Sequence, residues 1–304
     1  MESLTNEQRR DLLDKFCNRI EDGKGLLPAP ELLPYNPVPE IETAAWPMPF
    51  IELMVSGELS EATNLLHQWL RSLRHWHAWN ELLQSRDSDI RWGAEWEWVE
   101  PLGCQCLFQP SATRDRFILL ATNALHQVRM AIDPRIRDEL LGDAAAPGKR
   151  RVFPSRRAKE KQLNAFAKPF ATGAAFMKAL RQLDDGRYRK ATVDFRNRSS
   201  HGFAPRLSIG TTSMVTRERV QVTKLEQQPD GGYCEALVPD KMATSYSIGG
   251  IDPLVMVATW NSNCQQFSRA RRLFNAYVAL LQEATAAMPP PKKAATPAAA
   301  AEVA

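Results

Sequence analysis

ELSEATNLLHQWLRSLRHWHAWNELLQS, residues 58–85, is the stretch whose pattern decides the fold class. Leu59, Ala62, Leu66, Trp69, Leu73, Trp76, Asn80 and Leu83 recur at steps of three and four residues. One long helix over 58–85 collects them into a heptad-like stripe, and a stripe that apolar needs other helices packed on it. A second helix is predicted over 112–133, with Phe117, Leu120, Ala121, Ala124, Leu125, Val128 and Ile132 along one side. A third, over 156–184, carries Leu163, Phe166, Phe170, Met177 and Leu180, with a kink or break expected near Pro169 and Gly173.

Upstream of the stripe, Thr5 and Gln8 have the spacing of a capping box in front of Leu12, Leu13, Phe16 and Ile20, which predicts a short opening helix. Seven prolines between Pro28 and Pro49 then predict an extended arm lying over a surface. Trp92, Trp96 and Trp98 read as packing around an interhelical connection. Downstream, a helical turn over 187–201 is stopped by Gly202 and Pro205. Val215–Leu225 alternates as a strand, Pro229–Gly232 makes a turn, and Cys234–Val238 returns as a second strand. Asp252 and Pro253 read as N-cap and first residue of a final helix to 286, and the Ala- and Pro-rich tail from Met288 as disordered. The chain is therefore expected to be mainly α. It divides into an N-terminal helix and arm (1–57), a helical bundle (58–287) with a β-hairpin insert at about 213–240, and a tail (288–304).

No run of about 18 apolar residues suggests a membrane span. The acidic start (Glu2, Glu7, Asp11, Asp14) lacks a secretory leader. Cys17, Cys104, Cys106, Cys234 and Cys264 are odd in number and scattered, which suits reduced thiols in a cytoplasm. Charge is distributed unevenly. Residues 1–100 hold 9 basic and 18 acidic side chains, whereas 149–224 hold 19 basic and 5 acidic. A basic block of that density is the footprint of a polyanion partner, unless the acidic part neutralises it within the molecule.

Inside that block lies Asp194-Phe195-Arg196-Asn197-Arg198-Ser199-Ser200-His201-Gly202. An Arg, a polar neighbour, and a His after four intervening positions resemble the signature of the HEPN superfamily, helical domains known chiefly as metal-independent ribonucleases of toxin, antiviral and RNA-processing systems. The resemblance rests on these few residues and on the helical context of about 58–286; the hairpin and the arm lie outside it. It implies a HEPN-type bundle, an RNA substrate, a homodimer with a site built from both copies, and no cofactor or metal. Arg196 would grip the phosphate, His201 would act as acid or base, and Asn197 would orient one or the other. Arg156, Arg157, Arg189, Lys190, Arg198 and Arg206 would hold the RNA backbone. Positions five apart on a helix diverge by about 140°, so Arg196 and His201 can meet only if the helix ends close to His201 or a second copy contributes. Phe203 stands where some HEPN toxins carry a Tyr that a partner enzyme modifies, so that control is not expected. The alternative is a non-catalytic nucleic-acid-binding or complex-forming subunit, with a regulatory protein partner a further expectation; a pure interaction scaffold is a third option.

Other patterns carry less. Arg71 and His77 form a looser copy of the motif on the stripe helix. His75 and His77, two apart, cannot face one metal on a helix. Cys104 and Cys106 are read as plain thiols on an irregular segment, and the stripe tryptophans as packing.

Overall fold

The computed structural model describes residues 4–143 and 153–290. The expected tail from 291 onward and the basic run Lys149, Arg150 and Arg151 lie outside the described residues. Thr5 starts the first helix, α1 (Asn6–Asp22), through the capping box read in the sequence: its hydroxyl accepts from the Gln8 N–H while the Gln8 side chain accepts from the Thr5 N–H. The proline-rich arm follows, extended except for the single turn α2 (Glu40–Thr43).

The stripe helix, α3, runs Ile51–Leu83 and so begins well before residue 58. Pro49 and left-handed Phe50 (φ 67°) end the arm, and Ile51 and Val55 then continue the buried stripe through Gly57. α4 (Ser88–Ala94), capped by Asp87, passes through a π-helical turn at Glu95–Val99 into α5 (Glu100–Ile132). α5 was expected only from about 112. Its first turns were hidden by Gly103 and Pro110, both buried, and Cys104 and Cys106 are therefore helical, not irregular. Gly103 is there because the helices come close: a Cβ at that position would lie 2.6 Å from Leu207 and 3.2 Å from the Trp76 ring.

The expected third helix is broken into α6 (Arg156–Ala167) and α7 (Gly173–Arg181), either side of Pro169. α8 (Gly186–Ala191) and α9 (Phe195–Ser200) are two short helices where one turn was predicted. The hairpin is longer than the 213–240 insert read from the pattern. β1 (Val215–Gln227) and β2 (Tyr233–Ile248) pair antiparallel with a bulge between Gln221 and Thr223, forming a mostly exposed ribbon. Pro253 does not open the last helix. Leu254 is tied in extended form to Arg206 and Ser208, and α10 (Met256–Ala286) starts after Val255. Among the described residues, no helix is long and apolar enough to cross a membrane.

α3, α5 and α10 pack on one another around the stripe. Trp69 and Trp76 are fully buried, Phe267 of α10 meets Trp69 edge-on, and the Trp260 indole donates to the Leu73 carbonyl at 3.0 Å. Phe117 of α5 meets Tyr277 of α10 in the same way. Each large side chain so buried contributes about 2–3 kcal/mol.

The arm is fastened to the other side of α3. The Leu33 N–H donates to His67 Nε2 at 2.9 Å, the Leu27 N–H to His77 Nδ1 at 3.5 Å, and Arg74 donates to the Pro28 and Pro30 carbonyls at 3.1 and 3.0 Å. His67 must offer a lone pair to Leu33, so its imidazole must be neutral; His77 Nδ1 stands between the Leu27 N–H and the Glu81 carboxylate, both at 3.5 Å. Burial holds His67 and His77 below their ordinary 6.5. A histidine depressed in this way takes its proton first in the undocked or unfolded chain. Its stabilising contribution is thus complete above about pH 6.5 and is lost as the pH falls below that value. Amide exchange at Leu33, corrected for the intrinsic rate, should lose protection between about pH 7.5 and about pH 5.5. Unchanged protection would mean that the arm is not held through His67.

Candidate nucleic-acid interface

The basic block is shaped by a break in its helix. α8 is capped by Asp185, which accepts from the Tyr188 N–H at 2.9 Å and is itself held by Arg269 at 2.7 Å. Tyr188 is buried with its hydroxyl toward the Leu107 carbonyl, and Phe195 is buried against Phe108 of α5. Between these two anchors Val193 and Asp194 both adopt left-handed backbone, φ 51° and 50°. That conformation is costly for a β-branched residue and is imposed here by the anchors on either side. The resulting elbow places Arg189 and Lys190 of α8 beside Asn197 and Arg198 of α9, around an open groove of about 600 Å³ that also takes in Asp194 and Phe203.

α9 ends in a Schellman turn. Gly202, at φ 79°, donates to the Ser199 carbonyl, and Phe203 donates back to Arg198, both at 3.1 Å. The turn brings the Phe203 ring to 5.9 Å from the His201 ring and 5.6 Å from the Arg198 guanidinium. Gly202 was the residue expected to stop the helix. It does so after Ser200, with His201 as the C-cap just outside the regular helix. Asn197, one turn back, and Arg198, three back, are the helical neighbours of position 201. Arg196 does not line the groove. It is exposed and makes no side-chain hydrogen bond or ion pair among the described residues.

The groove therefore gathers Asn197, Arg198, Arg189 and Lys190; His201 reaches it only through the Phe203 ring, and Arg196 lies outside it. Three further arginines read as RNA contacts stand elsewhere. Arg156 is half-buried and bound to Asp115 at 2.7 Å, to Asp184 at 2.9 Å and to Ser111. Arg157 is exposed beside it on α6. Arg206 pairs with Glu100 at 3.1 Å and lies 4.4 Å above the Trp96 ring.

The sequence reading missed one feature. Trp92 and Trp96, taken there as packing, stack at 6.1 Å and 14°, and Trp96 is 54% exposed. With Arg206 they line a second groove of about 580 Å³ on the other side of Gly202. The available signal was their polar setting, since Glu95 and Glu97 flank Trp96. Among the described residues, no three His, Cys, Asp or Glu side chains are grouped to hold a metal ion.

No protein family, curated protein or solved structure matches the chain.

Two outcomes follow from this geometry. Arg156→Ala leaves Asp184 buried without its cation and should cost on the order of 2–3 kcal/mol in urea unfolding; a loss below about 0.5 kcal/mol would contradict the structural role given to Arg156. Gly202→Ala has room for its methyl group but not the backbone for it. It should cost about 1 kcal/mol in the same assay, and an unchanged midpoint would contradict the left-handed turn.

Proposed function

We propose that the chain is a metal-independent endoribonuclease of HEPN type, a toxin or defence effector acting as a homodimer on RNA. The observation that carries this reading is an open groove that gathers Asn197 with Arg189, Lys190 and Arg198, cations with no ion-pair partner among the described residues, and whose Phe203 ring stacks on the exposed His201 imidazole. A titratable imidazole next to a permanently charged guanidinium is the minimum needed to cleave RNA by its own 2′-hydroxyl. A base takes the 2′-hydroxyl proton and the oxygen attacks the adjacent phosphorus. The bond to the 5′-oxygen then breaks, and that oxygen leaves with a proton from an acid. The products are a 2′,3′-cyclic phosphate and a free 5′-hydroxyl.

In this scheme His201 moves the proton, Arg198 holds the phosphate oxygens as negative charge grows on them, and the Asn197 amide fixes the imidazole or the phosphate. Arg189 and Lys190 grip the neighbouring backbone. Arg196, exposed and outside this groove, is suited to complete the site of a second copy. The same exposure would serve a module that binds RNA without cutting it, and turnover separates the two readings.

Full-length protein should cleave RNA in the presence of EDTA and leave cyclic phosphate ends. His201→Ala should lower the rate by at least about 100-fold while keeping the circular dichroism and melting behaviour of the parent. A variant that cuts as fast as the parent would remove His201 from the chemistry. Retained RNA binding without any turnover in the parent would leave only the binding module.

A further inference from the structure

A second polar site lies on α3, away from the motif. The buried stripe uses one side of this helix. On another side Asn64, Gln68, Arg71 and His75 follow each other at steps of four, three and four, so they share one face. A face packed under a neighbouring segment is normally apolar, but this polar one forms the floor of a cleft of about 910 Å³. The end of α1 and the proline-rich arm make its walls, and its size falls in the range of small-molecule sites.

The chemistry of the lining is one-sided. Arg71, Arg74, His67 and His75 face the cleft and no carboxylate does. Arg74 and His67 are occupied in holding the arm. Arg71 has no partner among the described residues, and the half-buried His75 makes only a ring contact with Phe16. Burial, and after it the charge of Arg71, holds the His75 imidazole below its ordinary value, so the neutral ring can donate one N–H to an anion that Arg71 neutralises. At the other end Tyr35 donates to Asn64 Oδ1 at 2.8 Å. That bond leaves the two amide hydrogens of Asn64 available as donors, with the exposed Tyr35 ring beside them.

We infer that this cleft binds a mononucleotide, its phosphate between Arg71 and His75 and its base against Asn64, Gln68 and Tyr35. The two ends suit such a ligand in length. Arg71 and His75 are neighbours one turn apart, close enough to share one phosphate, and Asn64 lies about 10 Å further along the axis. The inference does not depend on ribonuclease activity.

The test is calorimetric titration of the full-length chain with AMP, ATP and inorganic phosphate. AMP or ATP should bind with a defined stoichiometry, and phosphate more weakly. Arg71→Ala should weaken nucleotide binding at least about 10-fold, and Arg71→Lys, which keeps the charge without the two-pronged grip, should weaken it less. Asn64→Ala should weaken AMP but not phosphate. Melting curves identify any variant that has lost its fold, in which case Arg71→Lys decides. Absence of nucleotide binding at millimolar concentration, or equal affinity in the parent and both Arg71 variants, would overturn the inference. Phosphate binding as tightly as AMP would overturn the nucleotide assignment. Displacement of AMP by an RNA oligomer at this cleft would turn it into part of an RNA surface.

Discussion

Trp69 and Trp76 can both be buried only if α5 and α10 lie against the same side of α3, and the rest of the molecule is built on that constraint. It fixes the three long helices and forces the glycine at position 103, where α5 passes the Trp76 ring. With one side of α3 committed, its other side is left to the proline-rich arm. The same packing carries the interface. Leu107 and Phe108 of α5 and Asn263 of α10 receive Tyr188 and Phe195, the two anchors between which the backbone is forced into the left-handed region at Val193 and Asp194. The basic elbow is thus a consequence of the core and is not a free surface loop.

Much of this was legible in the chain because periodicity reports burial directly. The stripe residues of α3 except Asn80, and the apolar side of α5 from Phe117 to Val128 but not Ile132, are buried as read, and the capping box at Thr5 and the stop at Gly202 stand where their chemistry puts them. The misreadings have identifiable physical causes. Pro110 and Gly103 are poor helix formers, yet both sit inside α5 because tertiary contacts outweigh intrinsic preference. Asp252 and Pro253 have the chemistry of a helix start, but backbone pairing of Leu254 with Arg206 and Ser208 keeps them extended. The double left-handed turn at Val193 and Asp194 has little local signal, since Asp tolerates that backbone but β-branched Val does not; it is visible only through the anchors it joins.

The site shows the same division. That Arg198, and not Arg196, lines the groove follows from how α9 sits against α8, which the sequence left open. The density of cations in 149–224 was plain, but which of them are available was not. Arg156 belongs to a network with Asp115 and Asp184, whose positions 115 and 184 are far apart along the chain. The stacked Trp92 and Trp96 add an aromatic surface beside Gly202. The polar face of α3 was hidden for a similar reason, because only the folded arm turns Asn64, Gln68, Arg71 and His75 into the floor of a cleft.

The central functional claim is that Arg196 serves a His201 other than its own. Mixing the Arg196→Ala and His201→Ala proteins, each of which a shared site requires to be inactive alone, with subunit exchange allowed, tests it most directly. In a mixed dimer one of the two shared sites regains both native residues, so random exchange should restore about a quarter of the parent activity. A mixture that stays as inactive as its two components would show that these residues do not complete one another's sites across two copies.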